Sequence, residues 1–84
     1  MINKKNLKKQ IIYRSSHRGT KEMDLLLGSF VKKNIDKLNP KELLDLNNLL
    51  FKEDEVIYNW YFEKNHDEDV PVTKVSTLLK NFKL

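Results

Sequence analysis

Residues 23–38 read MDLLLGSFVKKNIDKL. Met23, Leu26, Leu27, Phe30, Val31, Ile35 and Leu38 recur there at intervals of three and four. That spacing puts them on one side of an α-helix, whereas a half-buried strand would alternate every second residue. The stripe predicts an amphipathic helix of more than four turns packed on a core. Leu25 and Gly28 lie off its centre. A glycine in a helix interior costs up to about 1 kcal/mol relative to alanine, and a close approach of a second helix would account for it.

Downstream, Asn39-Pro40-Lys41-Glu42 is a helix-start signal. Asn39 can accept a hydrogen bond from a free amide at the N-cap, Pro40 suits the first helical position, and Glu42 can close a capping box. The third helix then runs to about Phe51, burying Leu43, Leu46, Leu50 and either Leu44 or Phe51. Asp54 is the expected N-cap of a fourth helix, with Ile57, Trp60 and Tyr61 on one face and Val56 beside them. Residues 65–69, NHDED, form a polar, acidic break. After Pro71, Val75, Leu78, Leu79 and Phe82 have helical spacing again.

Upstream, Leu7 and Ile11 share a face from about Lys4 to Ser16, and Ile12 widens it. Ser15-Ser16-His17-Arg18-Gly19 interrupts the pattern, and Gly19 suits a helix end or a corner with positive φ. The expectation is therefore an all-α, compact five-helix domain spanning residues 1–84, with short connections between neighbouring helices.

Composition narrows the function. At 84 residues the chain has room for one core and no deep cofactor cleft. With no cysteine, disulfides, thiolate metal sites and cysteine nucleophiles are excluded. No apolar run approaches the roughly 20 residues needed to span a bilayer. His17 and His66 are the only histidines, and neither has a metal-ligand partner three or four residues away. Glu22 and Asp24, two apart, point about 200° from each other on a helix and form no carboxylate pair. No phosphate-cradling glycine loop is present, so nothing points to free FAD binding. A catalytic role is not supported.

The net charge of +4 conceals an asymmetry. Residues 1–21 carry seven basic side chains and no acid, while residues 22–84 carry nine basic and twelve acidic ones. A basic arm on an acidic body suits nucleic acid or an acidic protein surface, and it also suits a merely solvated helix. The arm is lysine-rich and runs straight into the motif below, unlike a removable arginine- and serine-rich presequence.

That motif is Arg18-Gly19-Thr20-Lys21-Glu22, at the junction of the first two helices. Arg18 supplies a planar five-donor fork, Gly19 leaves room for another backbone, and Glu22 sits in a first helical turn where negative charge is favoured. The same residues would also serve simply as a cap with a local Arg18–Glu22 pair. The five residues match the R-G-x-x-E signature of the succinate dehydrogenase flavinylation factors. The longer run His17 to Gly28 resembles the α-proteobacterial form of that segment. Asn59-Trp60 resembles the family's later aspartate-or-asparagine-tryptophan element, so the resemblance extends from about Gln10 to Phe82. Departures are His17 where many relatives have arginine, Thr20 where many have methionine, and Ser16 where some have tryptophan.

The resemblance implies a monomeric, non-enzymatic chaperone. Members bind the flavoprotein subunit of succinate dehydrogenase, and in some bacteria fumarate reductase, and promote covalent attachment of FAD to a histidine of that client. FAD would belong to the client, with no cofactor or metal held stably by this chain and no membrane or nucleic-acid partner. Arg18, Gly19 and Glu22 would be the main partner contacts, flanked by His17 and Asp24. If Arg18 and Glu22 clamp polar groups of the client, either alanine variant should fold normally yet fail to raise flavinylation. The compartment would be a bacterial cytoplasm, or the mitochondrial matrix in a eukaryote. The alternative is a small basic nucleic-acid-binding or antitoxin-like regulator using the first helix, though no nucleic-acid-binding motif is recognisable.

Overall fold

A computed structural model describes residues 3–63 and 70–83. The expected acidic break, with His66, lies outside the described residues. Five α-helices follow one another: α1 (Lys4–Ser16), α2 (Lys21–Asn34), α3 (Pro40–Leu50), α4 (Asp54–Tyr61) and α5 (Lys74–Asn81). No strand occurs among the described residues. The all-α, five-helix expectation holds.

The helix starts follow local chemistry. Asn3 caps α1, its side chain accepting from the amides of Lys5 and Asn6. Thr20 caps α2 through the Met23 amide, 3.2 Å away. At α3 the capping box is complete: Asn39 Oδ1 accepts from the Glu42 amide at 2.8 Å, and Glu42 Oε1 accepts from the Asn39 amide at 2.9 Å. Thr73 and Ser76 build a second such box at α5. Each satisfies amides that helical geometry leaves without partners.

The second helix is shorter than its periodicity suggests. It ends at Asn34 and tightens into a 3-10 turn over Ile35–Lys37. Leu38 then becomes extended, with φ −92° and ψ 139°. Ile35 and Leu38 remain buried. Tightening the last turn is an ordinary way for a helix end to satisfy its final carbonyls.

α1 packs on both α2 and α3, and α5 packs on α3. Ile11, Leu26, Leu27, Leu43, Leu46, Ile57, Val75 and Leu79 are fully enclosed between them. Phe82 meets the ring of Phe30 edge-on, with centroids 5.4 Å apart. The Tyr61 hydroxyl donates to the Phe82 carbonyl, tying the end of α4 to the end of α5. The radius of gyration, 11.9 Å, is close to the roughly 12 Å expected of a compact domain this long.

Two side chains expected on apolar faces are at the surface: Ile12 is 51% exposed and Leu78 39%. Of the two alternatives on α3, Leu44 packs half-buried against the core and Phe51 is exposed. Leu49 takes the core position on α3 instead. Gly28 faces α1, but a Cβ built there would meet the Ser15 carbonyl oxygen at 3.9 Å, an ordinary contact. Close helix packing therefore does not demand the glycine.

Candidate functional site

The junction between α1 and α2 is built around Arg18. Its side chain is only 9% exposed. Nε donates to Asp54 Oδ1 at 2.6 Å, at the start of α4. Nη1 donates to the Leu50 carbonyl at 2.8 Å and, more weakly, to the Arg14 carbonyl at 3.3 Å. Nη2 donates to the Lys52 carbonyl at 2.9 Å. Four of the five guanidinium N–H groups are thus used inside the chain. Arg14 and Leu50 lie in the last turns of α1 and α3, where a cation complements the exposed carbonyls.

The expected local Arg18–Glu22 pair does not form. Arg18 reaches 36 residues along the chain to Asp54 instead. Asp54 is also not the N-cap: that position is Glu53, which makes no side-chain cap bond. The Asp54 carboxylate is committed to the junction, because its Oδ2 accepts from the Gly19 amide at 2.7 Å. Asp24 holds the other side, its Oδ1 accepting from the Arg18 amide at 2.6 Å.

Gly19 has a steric role. Its φ lies outside the left-handed region, so the expected positive-φ corner is not its reason. A Cβ at Gly19 would sit 3.0 Å from Asp54 Oδ2. That oxygen cannot move away without stretching the bonds to Gly19 and Arg18. The glycine lets the backbone approach the carboxylate.

Glu22 and Lys21 point to solvent from the first turn of α2. Among the described residues the Glu22 side chain forms no ion pair or hydrogen bond. His17 is exposed as well; its Nδ1–H donates to the Tyr13 carbonyl at 2.8 Å, and its ring stacks on Tyr13 with centroids 4.0 Å apart. That bond leaves Nε2 as an acceptor when the ring is neutral. Beside the junction, Thr20, Met23, Asp54, Glu55 and Tyr58 line a shallow hollow of about 270 Å³. The Tyr58 and Phe62 rings meet at a 36° tilt with centroids 4.7 Å apart, and both residues are 38% exposed.

The predicted residues therefore separate into two groups. Arg18, Gly19 and Asp24 build the corner, while His17 and Glu22 stand on its outer surface. Asp54 and Tyr58 join them from α4 without a sequence signal that links them. Asp54 looks like an ordinary helix start, and only the packed fold brings it to Arg18. Trp60 is buried at 7% exposure, and Lys80 Nζ lies 4.8 Å from its ring centroid while donating to its carbonyl.

Comparison with known proteins covers nearly the whole fold. A family profile described as flavinator of succinate dehydrogenase matches residues 9–83. A mitochondrial succinate dehydrogenase assembly factor 2 of Dictyostelium discoideum is 41% identical over 75 residues, 89% of this chain and 53% of that protein. An FAD assembly factor of Acetobacter pasteurianus is 38% identical over 55 residues, 66% of this chain and 50% of its own length. The chain thus spans about half the length of these curated relatives. No solved structure gives a significant match.

Proposed function

Because the chain belongs to the flavinator of succinate dehydrogenase family, we propose that it is an assembly factor for the flavoprotein subunit of succinate dehydrogenase. It binds that subunit and promotes covalent attachment of FAD to it. The observation that carries this reading is the family match across residues 9–83. The names of the relatives, an FAD assembly factor and a succinate dehydrogenase assembly factor, support it.

The factor acts as a chaperone and not as an enzyme. The client supplies the flavin and the histidine that receives it, and the factor holds the client so that the two meet in line. Holding reactants in a near-attack geometry supplies several kcal/mol of barrier reduction. FAD remains the client's group. The hollow at the junction has two carboxylates on its wall and no cation, which suits a dinucleotide's pyrophosphate poorly.

Glu22 and His17 are the partner contacts in this reading, and Arg18, Gly19 and Asp24 shape the surface that presents them. Fumarate reductase is a second client where a cell makes one. The place of action is the bacterial cytoplasm, or the mitochondrial matrix in a eukaryote; no described helix is long and apolar enough to cross a membrane.

The test is co-expression of the client with and without this chain in a host lacking its own factor. The client band on a denaturing gel is then read for covalent flavin fluorescence. Fluorescence that rises with the chain supports the reading. No rise, with both proteins soluble, overturns it.

A further inference from the structure

The proposed function uses the α1–α2 junction and leaves the basic first helix without a role. Along the seam between α1 and α2 runs a hollow of about 330 Å³. Ile12, Val31 and Ile35 give it an apolar lining, with Gly28 in its wall and Lys32 at its edge. Ile12 is half exposed there, although it sits in the most basic part of the chain. On α1, Lys5 and Lys9 lie seven and three residues before Ile12, on the same side of the helix, and both are exposed. Asp36, on the 3-10 turn after α2, is held in an ion pair by Lys8 Nζ at 3.0 Å. The seam is thus apolar at its base and cationic at its edges.

Gly28 supplies an independent argument. It costs helix stability, yet the fold would admit a methyl group there at an ordinary 3.9 Å contact. Packing within the chain therefore does not explain the glycine, whereas a seam kept open for a side chain from outside does.

We propose that the α1–α2 seam is a second docking surface for the client flavoprotein, receiving an acidic segment that inserts one apolar side chain beside Gly28. This rests on the proposed function above. Charge complementarity selects the occupant: carboxylates of the segment face Lys5, Lys9 and Lys32, and its apolar side chain covers Ile12, Val31 and Ile35. A nucleic acid would satisfy the lysines alone and leave the apolar lining without a partner. Binding through the seam weakens with salt, because the lysines are exposed and screened.

The experiment measures affinity of the purified full chain for the purified client subunit, by titration calorimetry at low and physiological salt. The variants are Gly28→Leu, which fills the seam; Ile12→Ser, which removes apolar surface outside the core; and the triple charge reversal Lys5→Glu, Lys9→Glu, Lys32→Glu. Circular dichroism confirms that each is helical. The seam is supported if Ile12→Ser and the triple variant each weaken binding at least tenfold and the triple variant loses most of the salt dependence; Gly28→Leu also weakens binding at least tenfold if it folds. Affinities within twofold of the parent for Ile12→Ser and the triple variant overturn it. If the parent chain itself does not bind the client, the proposed function fails first and takes the seam with it. Loss of binding to a random-sequence DNA duplex in the triple variant, with client affinity unchanged, overturns the seam in favour of nucleic acid.

Discussion

Arg18 pairs with Asp54 across the fold, Nε to Oδ1 at 2.6 Å, and not with Glu22 four residues away. The same carboxylate holds the Gly19 amide. An arginine in a surface motif invites the idea of a free cation waiting for a partner. Here the guanidinium joins the ends of α1 and α3 to the start of α4, and the outward-facing charges of the motif are Lys21 and Glu22.

Arg18→Ala should therefore be a stability variant, contrary to the expectation that it folds normally. It strands the Asp54 carboxylate and leaves the Leu50 and Lys52 carbonyls without their donor. Removing one member of a largely buried pair costs about 3 kcal/mol or more. Urea unfolding should show a clear fall in midpoint for both Arg18→Ala and Asp54→Ala. An unchanged midpoint in either would mean the pair contributes little.

Glu22→Ala should separate function from stability. Its exposed carboxylate makes no hydrogen bond or ion pair among the described residues, so unfolding free energy should change by no more than about 0.5 kcal/mol. Covalent flavin on the co-expressed client should fall towards the level seen without the factor. Full flavinylation with this variant would remove Glu22 from the partner surface.

Gly19→Ala and Gly28→Ala should move stability in opposite directions. At Gly19 the new methyl group meets a pinned Asp54 oxygen at 3.0 Å, and such crowding costs about 1–3 kcal/mol. At Gly28 the nearest atom is 3.9 Å away, so the gain in helix propensity should dominate, up to about 1 kcal/mol. Thermal melts of the two variants beside the parent would check both signs.

Acid should weaken the α3 cap. The Asn39 amide, then the Lys74 ammonium, hold the Glu42 carboxyl below its ordinary value of 4.5. Lys74 Nζ lies 3.1 Å from Glu42 Oε2 and links α5 to α3. With the folded-state value depressed, the stabilisation is fully present above about 4.5 and fades as pH falls through the folded value. Glu42→Gln should be less stable at neutral pH, and its stability should fall less steeply than the parent's below that point. Parallel pH profiles for the two chains would contradict this.

Much of this protein was legible along the chain because the signals involved are local. The three-and-four spacing from Met23 to Val31 specified α2 and its buried face, although its continuation to Leu38 overran the helix end at Asn34, and Asn39-Pro40-Lys41-Glu42 specified the start of α3 down to the capping box. Arg18, Gly19 and Glu22 stood out as a motif because a fork donor, a glycine and a first-turn acid meet at a helix junction. Tertiary structure decided what each of them does. Whether Ile12 or Leu49 faces the core depends on where α2 and α3 lie, which a single helix's period does not specify. Asp54 reads as a cap by itself and becomes the partner of Arg18 only because α3 turns the chain back on α1. Gly19 and Gly28 are the same residue in the sequence. One lies against a carboxylate brought from 35 positions away, and the other has space for a methyl group, a distinction set by distances through space.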